Sequence, residues 1–309
     1  MYKYIIKRVI WLIPILIGVS FIVFTIMFLS PADAAVMILG ENASPEALAA
    51  LRLEMGLNDP FIVQYARYAS DVFLRFDLGR SYLNNREVLK EILIRLPNTI
   101  ILASLSIVFA TLIGIPMGVM ASRKPNKAVD NTTMVVSLFG VSMPTFWQSL
   151  ILIIIFSLTL GWFPSSGFDT PRQMVLPVIA LSSSSIGSIA RITRSSMIDA
   201  LNQDYIRTAY AKGLSSNKVV YRHALKNALI PVVTVIGLQF GALLGGAVLT
   251  ESIFSINGLG VLMVNAIRQR DIMMVQGSVL FVAFVFTIVN LIVDILYAYI
   301  DPRIRAQYK

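Results

Sequence analysis

Six stretches of this chain are apolar over about twenty residues or more: 10–29, 100–121, 134–160, 174–192, 229–249 and 279–299. A bilayer core about 30 Å thick is crossed by about 20 helical residues, at about 1.5 Å each. Lipid offers no hydrogen bonds, so a spanning segment must satisfy its backbone internally, as a helix does. The expectation is an all-α, polytopic membrane protein with six transmembrane helices. Composition agrees. The 309 residues are 56% hydrophobic and only 14% charged, against about a quarter charged in soluble domains. There is no cysteine, which removes disulfides and thiolate chemistry. A net charge of +9 would fit a nucleic-acid binder, but these charges flank apolar spans rather than covering a soluble face, so no nucleic-acid partner is expected.

Lys3, Lys7 and Arg8 precede the first run, and Ala32-Asp33-Ala34 mimics a signal-peptide cleavage site. The run is longer than the usual 7–15-residue signal core, so residues 1–30 read as an uncleaved first span with its N-terminus inside. Pro14 and Gly18 are tolerated there. Residues 31–98 form an external helical insertion. In it Ser44 caps a helix, Pro45 occupies its first turn and Gly56 closes it. Leu48, Leu51 and Met55 share one face. A second amphipathic piece covers 61–73 and a third 86–94. The insertion is either a structural cap or a surface that receives a substrate-delivering protein. Residues 99–300 form a core of five spans, and 301–309 a cytoplasmic tail.

Within the core, Gly114 and Gly118 make a small-xxx-small pair with Pro116 between them. Pro144 and Trp147 lie in the third span, and Trp162 sits at its outer interface. The fourth span carries Ser182, Ser183 and Ser185; with Gln239 of the fifth they either line a water-filled path or pack, the serines bonding their own backbone. Gly241, Gly245 and Gly246 permit close approach in the fifth span. Residues 261–267 form a short outer helix, too short to span. Asp294 in the last span either pairs near the inner end or couples protons. With both ends inside, inner segments carry sixteen basic and four acidic residues, as the positive-inside rule requires.

The fourth and fifth spans are joined by the basic loop at about 194–228. Residues 205–231 read YIRTAYAKGLSSNKVVYRHALKNALIP. Two short helices separated by Gly213 fit it: Ala209 and Ala211 suit close helix contact, Gly213 supplies a positive φ, and Ser215 caps the second helix. By composition alone it would serve equally as a charged loop that orients the chain.

This stretch resembles the ATPase-docking loop of binding-protein-dependent ABC importers, whose general pattern is E-A-A, three residues, then G. Ala209 and Gly213 match that pattern. The fit is closer to the oligopeptide/dipeptide/nickel permease branch, in which D-Y-x-R-T-A-x-A-K-G-L-S and H-A-L-x-N-A-x-x-P are typical. Asp204-Tyr205, Arg207-Thr208-Ala209, Ala211-Lys212-Gly213-Leu214-Ser215, His223-Ala224-Leu225, Asn227-Ala228 and Pro231 all stand in place. Lys226 stands where the broader pattern has proline, which is similar to the first of the two permease subunits. Residues 57–65 and 76–81, Met143-Pro144 and Phe146-Trp147 also resemble this branch.

The resemblance implies a type I ABC importer permease fold. It implies docking residues Tyr205, Arg207, Thr208, Ala209, Ala211, Lys212, Gly213, Leu214, Ser215, Arg222 and His223. Implied partners are a second, similar permease subunit, two cytoplasmic ATPases, an external solute-binding protein and membrane lipid, in a bacterial or archaeal plasma membrane. ATP and Mg would be used by the ATPases, with no cofactor bound by this chain. The implied substrate is a di- or oligopeptide, with nickel as the alternative. An ion-coupled secondary transporter built on Asp294 and a membrane scaffold are readings of other classes. An enzyme is not expected: there is no G-x-x-x-x-G-K-[ST], H-E-x-x-H or G-x-S-x-G, and His223 is the one histidine. Ser215 and Lys218 share an S-x-x-K spacing by coincidence.

Overall fold

The computed structural model describes residues 2–30, 33–40 and 42–300. Ala32, the tail at 301–309 and the side chain of Asp294 lie outside the described residues. The described residues form helices joined by loops, and among them the one extended pairing is a bridge between Arg80 and Glu87.

The first helix, α1 (Tyr2–Phe28), runs through Pro14 without a break. Three insertion helices follow: α2 (Ala34–Leu39), α3 (Pro45–Glu54) and α4 (Phe61–Leu74). Their starts are set by local chemistry. Asp33 accepts a hydrogen bond from the Ala35 N–H at 2.9 Å, and Ser44 accepts one from Ala47 at 3.2 Å, each satisfying an otherwise orphaned donor. Gly56 ends the α3 turn at φ +65°. The α4 helix lies on α1 through an aromatic cluster: Phe61 meets Phe21, Phe24 and Phe28, and Tyr68 stacks on Phe24 at 5.3 Å.

The expected helix at 86–94 and the second span prove to be one element, α5 (Val88–Ser122), 35 residues long. Pro97 and Pro116 sit inside it. Its first turns persist because Val88 and Ile92 are buried with Leu259, Leu262, Ala266 and Met274, and packing of that kind outweighs the bond a proline removes.

The third span departs from the expected straight helix over 134–160. It is a pair, α6 (Ala128–Ser142) and α7 (Thr145–Leu152), with α7 continuing in wide π-type turns to Thr159. The two halves are bent by 101°. The cause is local: a residue before proline is pushed to extended backbone, and Met143 sits at φ −79°, ψ 127° before Pro144. Among the described residues five helices are therefore long and apolar enough to cross a membrane, or six if the bent pair is one span.

A capping box of Thr170 and Gln173 opens α8 (Pro171–Leu201). Next come α9 (Asp204–Ala211), the single turn α10 (Ser216–Lys218), α11 (Leu225–Gly246), α12 (Val248–Ile253), α13 (Leu259–Arg268) and α14 (Ile272–Ile300).

The α8 helix is the hub, and α5 is its most extensive neighbour. Gly114 and Gly118 make that contact possible. A Cβ on Gly118 would stand 2.5 Å from the Ala190 carbonyl and from Thr193 Cβ. The α6 helix packs on α8 in the same way, with Gly187 against the Ser137 carbonyl and Gly140 against the Ser183 carbonyl. Between α11 and α14 the close approach is at Gly237 and Gly241, facing Val293 and Phe286; the expected contact at Gly245 is absent, since nothing lies within 4 Å of it. Fully buried Leu102, Leu176, Ile189, Phe254 and Ile256 form the centre of the main core.

On the expected outer side, Glu251 is wholly buried. Its carboxylate accepts from the Thr99 hydroxyl at 2.6 Å and from the Gly260 and Val261 N–H groups at 2.7 and 3.2 Å. This ties α12, the start of α13 and α5 into one knot. Gly258 and Gly260 leave it room: a Cβ on Gly258 would sit 2.3 Å from the Glu251 carboxyl.

Candidate functional site

A second apolar cluster seats the basic loop. Val119 of α5 and Met197 of α8 pack with Ile206 and Ala209 of α9 and with Val219, Val220 and Ala224 beyond it. An eight-residue helix is marginal by itself; here its inner face is held by burial. Its outer face is left to solvent. Arg207, Thr208, Ala211, Lys212 and Gly213 are exposed, as are Ser215 and Arg222, while Leu214 and His223 are half-buried. Ala209 makes the close contact expected of it within the chain, and Ala211 does not. Arg207 lies 3.8 Å from Asp204, both almost fully exposed, an arrangement worth little energetically.

Gly213 has φ +77°, its N–H bonds the Tyr210 carbonyl at 2.9 Å, and nothing lies within 4 Å of a Cβ placed on it. The glycine is needed for its backbone conformation, not for room inside this chain. Ser215 sits at the N-cap position with extended backbone but makes no side-chain capping bond. The second loop helix is also not separate. From Ser216 it passes through π-type turns at Val219–Ala224 straight into α11, so the fifth span begins in the loop rather than at 229.

Three polar ties fasten this assembly. Asn227 donates to the Tyr205 hydroxyl at 2.9 Å, joining α9 to α11. Arg123, just past α5, donates to Asn217 at 2.9 Å. Arg194 of α8 grips Asp130 of α6 through Nε and Nη2, and Asp130 also accepts the Asn126 N–H at 2.8 Å. Asn217 and Asp130 were not among the expected site residues. Asp130 carried a signal, being an acidic residue in an inner segment of otherwise basic character; an exposed asparagine carries none.

Of the four path candidates, Ser182 and Ser185 are buried between helices. Ser182 and Ser183 donate back to the Ile179 and Ala180 carbonyls at 3.0 Å. Ser185 is brought to Gln239 across the α8–α11 contact, 3.5 Å from its Oε1.

A nonspanning insertion, a core of helices around α8 and an exposed α9–Gly213 corner are the framework for comparison with known proteins. The pattern of the family described as "Binding-protein-dependent transport system inner membrane component" matches residues 114–306, and its N-terminal counterpart matches residues 1–103. The chain belongs to this family.

Three relatives align over nearly their whole length. A dipeptide transport system permease protein of Alkalihalophilus pseudofirmus is 44% identical over 99% of this chain and 100% of its own. A putative peptide transport system permease protein of Brucella abortus is 45% identical, covering 97% and 98%. A glutathione transport system permease protein of Salmonella paratyphi A is 41% identical, covering 99% of each. Among solved structures, a chain of the inward-facing MetNI methionine ABC transporter superposes with TM-score 0.59 at 15% identity, over 69% of this chain and 97% of that one. An amino acid ABC transporter gives 0.52 at 16%, over 70% and 94%. At such identities the likeness is one of fold: the type I ABC importer permease fold. This family member is thus a permease subunit of an ABC importer, in which separate ATPase subunits hydrolyse ATP.

Proposed function

We propose that this permease takes up di- or oligopeptides, in complex with a second permease subunit, two cytoplasmic ATPases and an external solute-binding protein. The peptide and glutathione named for its relatives favour peptide over nickel. The ATPase contact is the exposed corner formed by Tyr205, Arg207, Thr208, Lys212, Gly213 and Ser215, with Arg222 and His223 beside it. The observation that carries this reading is the open space around Gly213: a helix end with a special backbone, unused inside its own chain, is available to a partner.

The α9 helix acts as a lever. ATP-driven closure of the ATPases moves it as a rigid body; the seat of Ile206 and Ala209 on Val119 and Met197 passes the movement to α5 and α8. Both chain termini and this corner lie on the cytoplasmic side, in line with the charge distribution. The path runs beside Ser182, Ser183, Ser185 and Gln239, where α8 and α11 meet.

The test is a cysteine placed at Lys212 in the assembled importer, crosslinked in membranes and combined with uptake of a labelled dipeptide. Crosslinking to the ATPase and ATP-dependent uptake are expected. A Lys212→Cys adduct formed with the external binding protein, or uptake that persists without ATPases, overturns the reading.

A further inference from the structure

A cavity of about 510 Å³ opens where α1, the insertion and the start of α14 meet. That size lies in the range of small-molecule sites, about 300–1,000 Å³. Two of its polar groups have no protein partner. Gln276 is only 4% exposed, lines the cavity and its side chain forms no hydrogen bond among the described residues. Tyr68 lines the cavity as well, and its hydroxyl is buried and unpartnered. Both residues line the cavity, buried polar groups left without partners are costly, and a ligand with carbonyl or hydroxyl groups entering there would supply the missing bonds.

The rest of the lining narrows the class. Phe24, Met27 and Phe28 of α1 make an apolar side, next to the exposed Phe21 of that helix and Leu29 just after it. The rim carries both signs. Arg52 and Arg67 are each held by one carboxylate, Asp33 at 2.5 Å and Asp59 at 2.6 Å, leaving other guanidinium N–H groups free to donate. Asp77 accepts the Gly79 N–H at 2.8 Å and has no ion-pair partner among the described residues.

We propose that this cavity holds the glycerol-ester and headgroup region of a zwitterionic phospholipid, its tails lying along the apolar face of α1. Tyr68 and Gln276 bond the ester carbonyls, a rim arginine meets the phosphate and Asp77 meets the ammonium. A transported peptide fits less well, because no residue of α8 or α11 lines the cavity. The inference rests on the topology proposed above for the insertion, but not on the peptide substrate.

The complete importer is purified after exchange into nanodiscs of equal phosphatidylethanolamine and phosphatidylglycerol, and retained lipid is counted by native mass spectrometry. The wild type should retain phosphatidylethanolamine. The double variant Tyr68→Phe, Gln276→Leu should retain about tenfold less, in keeping with two lost hydrogen bonds. Met273→Trp, which fills the cavity from α14 while leaving both polar groups in place, should also expel it; this covers the case in which the double variant fails to assemble. Equal retention in the assembled variants, or equal retention of both lipids by the wild type, overturns the proposal. So does crosslinking of a labelled dipeptide to Tyr68. Peptide uptake measured on the same preparations reports separately on the transport reading.

Discussion

The Tyr205 hydroxyl receives a hydrogen bond from Asn227 Nδ2 at 2.9 Å, closing a 22-residue excursion of the chain. The two residues stand on α9 and α11, on either side of the exposed Gly213 corner. The bond joins α9, the proposed lever, to the fifth span. A hydrogen bond of this kind contributes about 1 kcal/mol. Tyr205→Phe should leave the subunit inserted and assembled while uptake per ATP hydrolysed falls a few-fold. Parallel assays of ATPase rate and labelled-peptide uptake in proteoliposomes check this; an unchanged ratio would show that the tie is idle.

Asp130 is 1% exposed and Arg194 24%. Removing one member of a buried pair strands the other's charge, at about 3–5 kcal/mol. Asp130→Ala should therefore sharply lower the thermal midpoint and the yield of folded subunit. The exchange Asp130→Arg with Arg194→Asp should recover part of the loss. Fluorescence-detected gel filtration after a heating series reads both.

Gly118 and Gly18 make a matched contrast. At Gly118 a methyl group meets the backbone of α8 at 2.5 Å; at Gly18 it meets nothing within 4 Å. Gly118→Ala should destabilise by about 1–3 kcal/mol through overpacking. Gly18→Ala should be neutral or slightly stabilising, by up to about 1 kcal/mol of helix propensity. Comparable thermal shifts for the two variants would contradict the packing described for α5 and α8.

Burial raises the Glu251 carboxyl above its ordinary range, opposed by the hydrogen bonds from Thr99, Val261 and Gly260. A carboxyl with a raised folded-state pKa binds its proton more tightly folded than unfolded. Stability is therefore highest below the ordinary glutamate pKa and falls as pH rises from there through the raised value. Opening of the α12–α13 segment, followed by hydrogen exchange, should become easier across that window. In Glu251→Gln this contribution to the pH dependence should vanish. A rise in protection with pH in the wild type would reverse the assignment.

The spans were legible in the chain itself, because lipid exposure demands about twenty apolar residues; of the face of α9, Ala209 was legible as a contact, whereas Ala211 proved exposed and the burial of Ile206 went unread. The Gly213 corner was legible for a similar reason: few residues other than glycine adopt its backbone. Other features were out of reach. Pro144 was read as lying inside the third span, not at a 101° bend, since proline constrains only its neighbour's backbone and the angle follows from where α6 and α7 find partners. The separate helix expected at 86–94 is joined to the second span through Pro97, because burial of Val88 and Ile92 holds the first turns of α5 in place. Asn217 and Gln276 have no sequence signature, as their surroundings are set by residues more than fifty positions away; Asn227 stood in the quoted pattern, but its bond to Tyr205 depends on the path of the whole loop.

By itself the sequence determined that this protein is a helical membrane subunit with its basic corner between the fourth and fifth spans: hydrophobic length, charge bias and glycine backbone are local properties. The tertiary structure decided which helix is the hub, how the corner is tied to α5, α6 and α11, and where a lipid-sized cavity remains. Those depend on which surfaces meet, and contact between distant segments is a property of the folded arrangement rather than of any stretch within it.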